Sequence, residues 1–143
     1  MDYCTIKTTK KIIPLCGLCV LSGAINYFNE SYPCYLGRYN GEYDAPRQSI
    51  SKVKGLKILE MEKSREKAMC CGAGGGHYWM DLKVGERVNV LRTQHAQETG
   101  ASQIATACPF CMQMLEDGVN LTGLEGKLKV RDLAEVLAEA VCK

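Results

Sequence analysis

Apolar positions in the second half of the chain alternate between strand spacing and helical spacing. This pattern predicts strands over 103–107 and 127–130, and helices that begin at Pro109 and next to Asp132. Proline suits the first position of a helix, and Asp132 with Glu135 resembles a capping box. The predicted apolar faces of these two helices consist of Met112, Leu115, Val119, Leu133, Val136, Leu137, Ala140 and Val141.

The middle of the chain continues the same alternation. Asp44 and Pro46 predict the start of a short helix, and residues 57–61 read as a strand. A second helix is predicted over 85–98, ended by a glycine. Its apolar face is predicted from the recurrence of Val84, Val88, Leu91 and His95. Strands that alternate with helices predict a small α/β domain with a largely parallel sheet flanked by helices.

Residues 1–30 are interpreted as a divergent N-terminal segment, and residues 31–143 as the main domain. A charge-free run, 12–28, follows three lysines, which is compatible with a buried segment or with a signal peptide. No membrane span is expected, because the run is shorter than the roughly 20 residues that a span needs. Cys16 and Cys19 have metal-ligand spacing but can equally be structural thiols, whereas Cys4 and Cys142 are interpreted as spectators.

Composition narrows the class of protein. A chain of 143 residues is long enough for one domain with a core, and a net charge of +2 without a basic run does not favour nucleic acid as a partner. Nine cysteines are many for a domain of this size. Their arrangement fits an intracellular metal site better than a disulfide framework.

The cysteines themselves carry the candidate chemistry. Cys70 and Cys71 are adjacent and open into a run of glycines, which permit the sharp bend that lets neighbouring thiolates reach one target. Cys34 precedes this pair, while Cys108 and Cys111 follow it at the predicted start of a helix. Because three of these positions follow predicted strands, we expect the site at the carboxyl edge of the sheet.

Five thiolates exceed the four of a tetrahedral zinc site, so they suit a polynuclear iron–sulfur centre, or zinc with one cysteine unused. The alternatives are ordinary buried cysteines, a vicinal disulfide, and thiol–disulfide exchange by a CxxC pair without a metal. Among the neighbours, His77 and Arg38 are candidates to contact a cluster or to lie on the surface. Trp79 and Met80 are expected to pack the domain or a partner.

Three segments resemble the cysteine-rich "CCG" domain of the heterodisulfide reductase B/D family: 34–40, 70–76 and 107–111. That family includes iron–sulfur subunits of glycolate and lactate oxidases and of anaerobic glycerol-3-phosphate dehydrogenase. The chain departs from it before Cys34, where Ser31, Tyr32 and Pro33 stand in place of the usual His-Asp-Pro. The resemblance implies one site whose ligands are Cys34, Cys70, Cys71, Cys108 and Cys111.

The resemblance also implies a cofactor and a context. The cofactor would be a 4Fe–4S cluster, which heterodisulfide reductase holds in a non-cubane form, or zinc, which some relatives hold instead. Family members usually carry two such domains, so this chain is expected to correspond to a C-terminal half. It is interpreted as an electron-transfer subunit or fragment of an iron–sulfur oxidoreductase, with a zinc-binding structural module as the alternative. We expect the chain to bind a flavoprotein or ferredoxin-like subunit, or to self-associate. We also expect a cytoplasmic location, either free or on the inner face of a membrane complex.

Overall fold

A computed structural model describes residues 26–31, 33–80 and 85–141. Its strands form one sheet in the order β2-β1-β3-β4, and every neighbouring pair is parallel. Phe28 pairs with Gln103, and Ile104 pairs with Val130 across the sheet. The predicted fold class, a small α/β domain with a parallel sheet, is confirmed. The strands are β1 Asn26–Ser31, β2 Leu56–Ile58, β3 Gln103–Thr106 and β4 Lys129–Asp132.

In the described ranges, four α-helices connect or follow the strands. They are α1 Ala45–Ser51, α2 Val88–Glu98, α3 Pro109–Leu121 and α4 Leu133–Val141. Short helical turns cover Tyr35–Tyr39, Arg65–Lys67 and Gly74–Trp79. Among the described residues, no helix combines the length and apolar character that a membrane crossing requires.

The helix starts follow the sequence closely. Pro109 is the first residue of α3, and the Asp132 carboxylate accepts a hydrogen bond of 2.7 Å from the Ala134 N–H at the start of α4. The start of α1 differs from the prediction, because Asp44 precedes the helix without a capping bond from its side chain. Glu42 Oε1 accepts instead from the N–H groups of Asp44 and Ala45, at 2.9 and 2.8 Å.

The sheet separates two core layers, because adjacent strand residues point to opposite faces. On one side, Phe28 and Ala105 pack with Ile50 of α1 and Val136 of α4. On the other side, Ile104 and Val130 pack with residues of α2 and α3, among them Ala96, Leu115 and Val119. We call these layers the α1/α4 side and the α2/α3 side.

The predicted apolar face of α2 is wrong. Val88, Leu91 and His95 are only partly buried, and Val84 lies outside the described residues. The buried face consists of Asn89, Arg92, Thr93 and Ala96. This face is polar because it meets backbone groups of α3: Asn89 Nδ2 donates to the Met114 carbonyl at 3.0 Å and to Asp117 at 2.9 Å.

Gly118 explains how α2 comes so close to α3. A Cβ added at Gly118 would lie 2.4 Å from Thr93 Oγ1 and 2.8 Å from the Asn89 carbonyl oxygen. Such distances are far below van der Waals contact, so glycine at this position sets the spacing of the two helices.

Strand positions were predicted less well than helices. The second strand covers 56–58 rather than 57–61, and the last covers 129–132 rather than 127–130. β1, the strand between β2 and β3, was not predicted, and its residues 26–30 fall in the segment assigned to the N-terminal part. The division of the chain at residue 30 stays a prediction. Cys4, Cys16, Cys19 and Cys142 lie outside the described residues.

Candidate metal or cluster site

The candidate site lies where the chain reverses its direction across the sheet. From β1 the chain continues to β2 on one side, whereas from β3 it continues to β4 on the other. Such a switch point leaves a crevice beyond the carboxyl ends of the two strands. Cys34 follows the end of β1 closely, and Cys108 follows the end of β3. The topology therefore brings both cysteines to the same edge, as predicted.

Cys34 stands at the start of a tight turn. The Pro33 carbonyl accepts hydrogen bonds from the N–H groups of Leu36 and Gly37, at 3.2 and 3.1 Å. The resulting π-helical turn, Tyr35–Tyr39, holds Cys34 half-buried at its first end. Arg38 projects from this turn and donates to the Ala68 carbonyl at 2.6 Å, which ties it to the loop before Cys70.

Cys70 and Cys71 reach the site because the chain bends at Gly72. This glycine has a φ of +93°, a value that favours glycine strongly over other residues. Its N–H donates to Cys70 Sγ at 3.4 Å. A Cβ there would lie 3.2 Å from Val88 Cβ and 3.4 Å from Met114 Cε, so the space beside Gly72 is also closed to a side chain.

Cys108 and Cys111 are placed by the start of α3. Cys108 is the extended residue before the helix, and Cys111 lies in its first turn, where backbone N–H groups are free of intrahelical partners. The Sγ atoms of Cys111 and Cys71 are 3.2 Å apart. Both side chains are buried. The helix start predicted from Pro109 is thus the element that delivers these thiols.

All five predicted cysteines gather at this edge. Cys70 and Cys108 pack against the cluster formed by Cys71, Cys111 and Met114, and the Cys34 thiol interacts with that of Cys70. All five are free thiols, so Cys70 and Cys71 do not form a vicinal disulfide. Across the part of the chain that the structure describes, no three or more histidine, cysteine, aspartate or glutamate side chains converge as ligands of a single metal ion.

The thiols resist ionisation in this arrangement. A hydrogen bond with Cys71, together with burial, raises the pKa of Cys70 to about 12. The hydrogen bond with Cys111 raises the pKa of Cys71 to about 11, and burial raises the pKa of Cys34. Thiolates this close repel each other, so the thiolate set needs a bound cation or cationic cluster.

Backbone N–H groups oppose this effect. Hydrogen bonds from the amides of Gly72 and Gly74 lower the pKa of Cys70, and the Ala73 amide does so for Cys71. Gly75 and Gly76, with φ of 65° and 81°, continue the turn. The glycine run therefore does two things: it bends the chain, and it directs donors toward the thiols.

Arg92 also belongs to this site, although its sequence context does not predict it. Its side chain is fully buried on α2, and burial lowers the pKa of Arg92, while the charges of Cys111 and Cys71 oppose that lowering in part. The only available clue is its place among Asn89, Thr93 and Ala96, which share one helical face.

Other candidates lie at the rim. His77 is exposed, and so are Trp79 at 81% and Met80 at 54%. The Tyr78 ring makes edge contacts with Trp79 and Phe110, at centroid distances of 4.6 and 5.3 Å. These residues form an aromatic rim beside the cysteines rather than part of the core.

The family model of the cysteine-rich domain, CCG, matches residues 27–116. This chain belongs to the CCG cysteine-rich domain family. The match covers the cysteine positions that form the site, and the family predicted from the sequence is confirmed. The CCG match also begins inside β1, the strand that the sequence pattern did not predict.

Several curated proteins are similar to this CCG chain. It is 47% identical over 108 residues to the "Probable iron-sulfur-binding oxidoreductase FadF" of Bacillus subtilis, covering 76% of the chain and 15% of that protein. It is 44% identical over 115 residues to the "EtfAB:quinone oxidoreductase" of Syntrophomonas wolfei, covering 76% and 16%. It is 39% identical over 109 residues to a dihydromethanophenazine:CoB–CoM heterodisulfide reductase subunit of Methanosarcina barkeri, covering 76% and 26%.

The CCG chain thus spans only about 15–26% of the length of these relatives. The relatives are much longer than this chain, and the match covers only a part of each. No solved structure matches the chain.

Proposed function

We propose that this chain is an iron–sulfur-cluster-binding electron-transfer domain of a larger oxidoreductase. The observation that carries the proposal is the gathering of five cysteines at one sheet edge, with the Cys71 and Cys111 sulfurs 3.2 Å apart. Relatives named as an iron–sulfur-binding oxidoreductase and as a component of heterodisulfide reductase support it.

The residues present fit an iron–sulfur group. Thiolates are the usual ligands of such clusters, and five of them meet here. The backbone donors at Gly72, Ala73 and Gly74 lie where they can bond cluster sulfurs, and the space beside Gly72 excludes a side chain. When bound, the group would supply one-electron exchange, while the protein supplies ligands, donors and a water-poor environment.

We assign the ligand role to Cys34, Cys70, Cys71, Cys108 and Cys111, and the cluster type to 4Fe–4S, including its non-cubane form. Five thiolates are one more than a tetrahedral zinc ion takes. This count favours a polynuclear centre over the zinc-binding structural module.

We further propose that the domain exchanges electrons with another redox subunit. A buried cluster needs a second redox centre close by, and the rim of Trp79, Met80 and Phe110 exposes apolar surface next to the cysteines. A flavoprotein or ferredoxin-like partner fits this role, in a cytoplasmic complex or at the inner face of a membrane. The relative named an EtfAB:quinone oxidoreductase is consistent with such a context.

The test is anaerobic purification with iron, acid-labile sulfide and zinc analysis, followed by EPR. We expect about four iron and four sulfide per chain and visible absorption that dithionite bleaches. Stoichiometric zinc without iron, in protein purified and reconstituted anaerobically, would replace the electron-transfer proposal with the structural one.

A further inference from the structure

Arg92 is a buried cation whose hydrogen bonds are incomplete. Its side chain is 0% exposed. Nη1 donates to the Lys63 carbonyl at 2.8 Å, whereas Nε and Nη2 are buried without a hydrogen-bond partner. A guanidinium in such a place is costly unless an opposing charge offsets its lost hydration.

The location of Arg92 indicates where that opposing charge lies. One turn before it on α2, Asn89 contacts the Met114 carbonyl, one turn beyond Cys111 on α3. The Asn89 backbone N also lies 3.5 Å from the Cβ position at Gly72, the residue that follows Cys71. The buried face of α2 therefore packs against both segments that carry the central thiols, and Arg92 interacts electrostatically with Cys111 and Cys71.

A second buried arginine provides the contrast. Arg47, 8% exposed, forms ion pairs with the carboxylates of Glu30 and Glu60. Arg92 forms no ion pair with a carboxylate within the described ranges, although Glu60 contributes to its electrostatic surroundings. When ionised, Cys111 and Cys71 act on Arg92 more strongly than Glu60 does.

We propose that Arg92 is the charge-compensating residue of the cysteine site and that it raises the reduction potential of the cluster held there. The inference rests on the proposed iron–sulfur function. A fixed buried positive charge favours the reduced cluster over the oxidised one, because the reduced state carries one more negative charge. Arg92 acts through its field on the site and is not a ligand.

The experiment compares reduction potentials, measured by EPR-monitored titration with dithionite, in the anaerobically loaded protein. Arg92→Gln removes the charge but keeps a donor for the Lys63 carbonyl, and Arg92→Lys keeps the charge. Arg47→Gln is the matched control, since it removes a buried guanidinium that carboxylates already neutralise. Iron and sulfide contents are measured for every variant.

We expect Arg92→Gln to lower the ratio of reduced to oxidised cluster about tenfold at a fixed potential, which is ~59 mV for a one-electron couple. For Arg92→Lys and Arg47→Gln, the ratio of reduced to oxidised cluster at that potential should stay within about threefold of the wild-type ratio. An unchanged potential in Arg92→Gln, or an equal fall in Arg92→Lys, overturns the inference. If Arg92→Gln does not fold, Arg92→Met takes its place, because it also removes the charge: a fall in the reduction potential supports the inference, and an unchanged potential overturns it. A wild-type chain that takes up no iron overturns the proposed function instead.

Discussion

The two sides of the sheet each bury an arginine, but they neutralise it differently. On the α1/α4 side, Arg47 meets Glu30 on β1 and Glu60 after β2, so protein carboxylates offset its charge. On the α2/α3 side, Arg92 meets a backbone carbonyl and the field of two cysteines. On the first side protein carboxylates face the arginine, whereas the second side presents donors and positive charge to a group that thiolates would hold.

The largest contrast should come from removing a thiol on the α2/α3 side. We expect Cys111→Ser to lose most of the bound iron, because Cys111 lies in the first turn of α3 with its sulfur 3.2 Å from that of Cys71. Iron and sulfide per chain after anaerobic reconstitution measure this. Cys142→Ser, a change at a predicted spectator, is the control and should retain its iron. Full iron content in Cys111→Ser would remove Cys111 from the ligand set.

A cavity on the α1/α4 side should have the opposite effect: it should lower stability and leave iron binding unchanged. Phe28 is 1% exposed and packs with Ile50, Ala105 and Val136. We expect Phe28→Ala to lower the free energy of unfolding by about 3–5 kcal/mol, as deletion of a buried aromatic ring does. Denaturant unfolding measures the loss. Folded Phe28→Ala should still bind iron at the wild-type ratio, and parallel loss of iron would show that the two sides are not separable.

The sequence predicted the elements that deliver the thiols better than the surfaces that join them. Pro109 placed the start of α3 correctly, and the cysteine spacing together with the glycine run predicted the gathering at the sheet edge. The role of the five cysteines as ligands stays a prediction. These features are local, so spacing and backbone preference suffice to find them.

What the sequence did not predict depends on tertiary partners. β1 is Asn-Tyr-Phe-Asn-Glu-Ser, and no apolar alternation marks it, because its buried Asn29 bonds the Ala96 carbonyl and its buried Glu30 meets Arg47. The face of α2 was assigned incorrectly for the same reason, since Asn89 and Thr93 are buried by contact with α3. Buried polar residues of this kind are satisfied by groups distant in sequence, which periodicity does not reveal.

A smaller effect should follow from separating α2 from α3. At Gly118 an added methyl group meets the Asn89 carbonyl at 2.8 Å, and a backbone atom yields less readily than a side chain. We expect Gly118→Ala to lower the free energy of unfolding by about 1–3 kcal/mol, as overpacking does. Gly123→Ala does not serve as a control, because Gly123 has a φ of 66°. Gly74→Ala is the matched control, because Gly74 lies outside the positive-φ region and a Cβ added there would meet no atom within 4 Å. If Gly118→Ala is as stable as Gly74→Ala, the close helix contact is not a constraint.

The smallest effect concerns pH on the α1/α4 side. Burial raises the pKa of Glu30 to about 7 from its ordinary value of 4.5, against the lowering effect of Arg47 and with a further rise from Glu60. Arg47 Nη1 lies 3.2 Å from Glu30 Oε2, yet that oxygen has no aligned hydrogen bond. The folded protein therefore binds the Glu30 proton more tightly than the unfolded chain does.

The protonated Glu30 side chain therefore adds to the free energy of unfolding. This contribution is fully present below pH 4.5 and is lost as pH rises through about 7. Glu60 affects stability in a different pH range. Its pKa is lowered, mainly by its hydrogen bond from Arg47, so its contribution to the free energy of unfolding is lost only as pH falls. Arg65 also lowers the pKa of Glu30, by less than Arg47 does.

We expect the stability difference between Glu30→Gln and the wild type to change by about 1–2 kcal/mol from pH 5 to pH 8, with the variant gaining as pH rises. Anaerobic denaturant unfolding at several pH values measures this difference, in which titrating groups that do not interact with Glu30 cancel. Glu42→Gln, at the N-terminus of α1, controls for the loss of a carboxylate outside the core. A pH-independent difference for Glu30→Gln would mean that Arg47 keeps Glu30 ionised throughout, and that the α1/α4 side holds a fully charged pair.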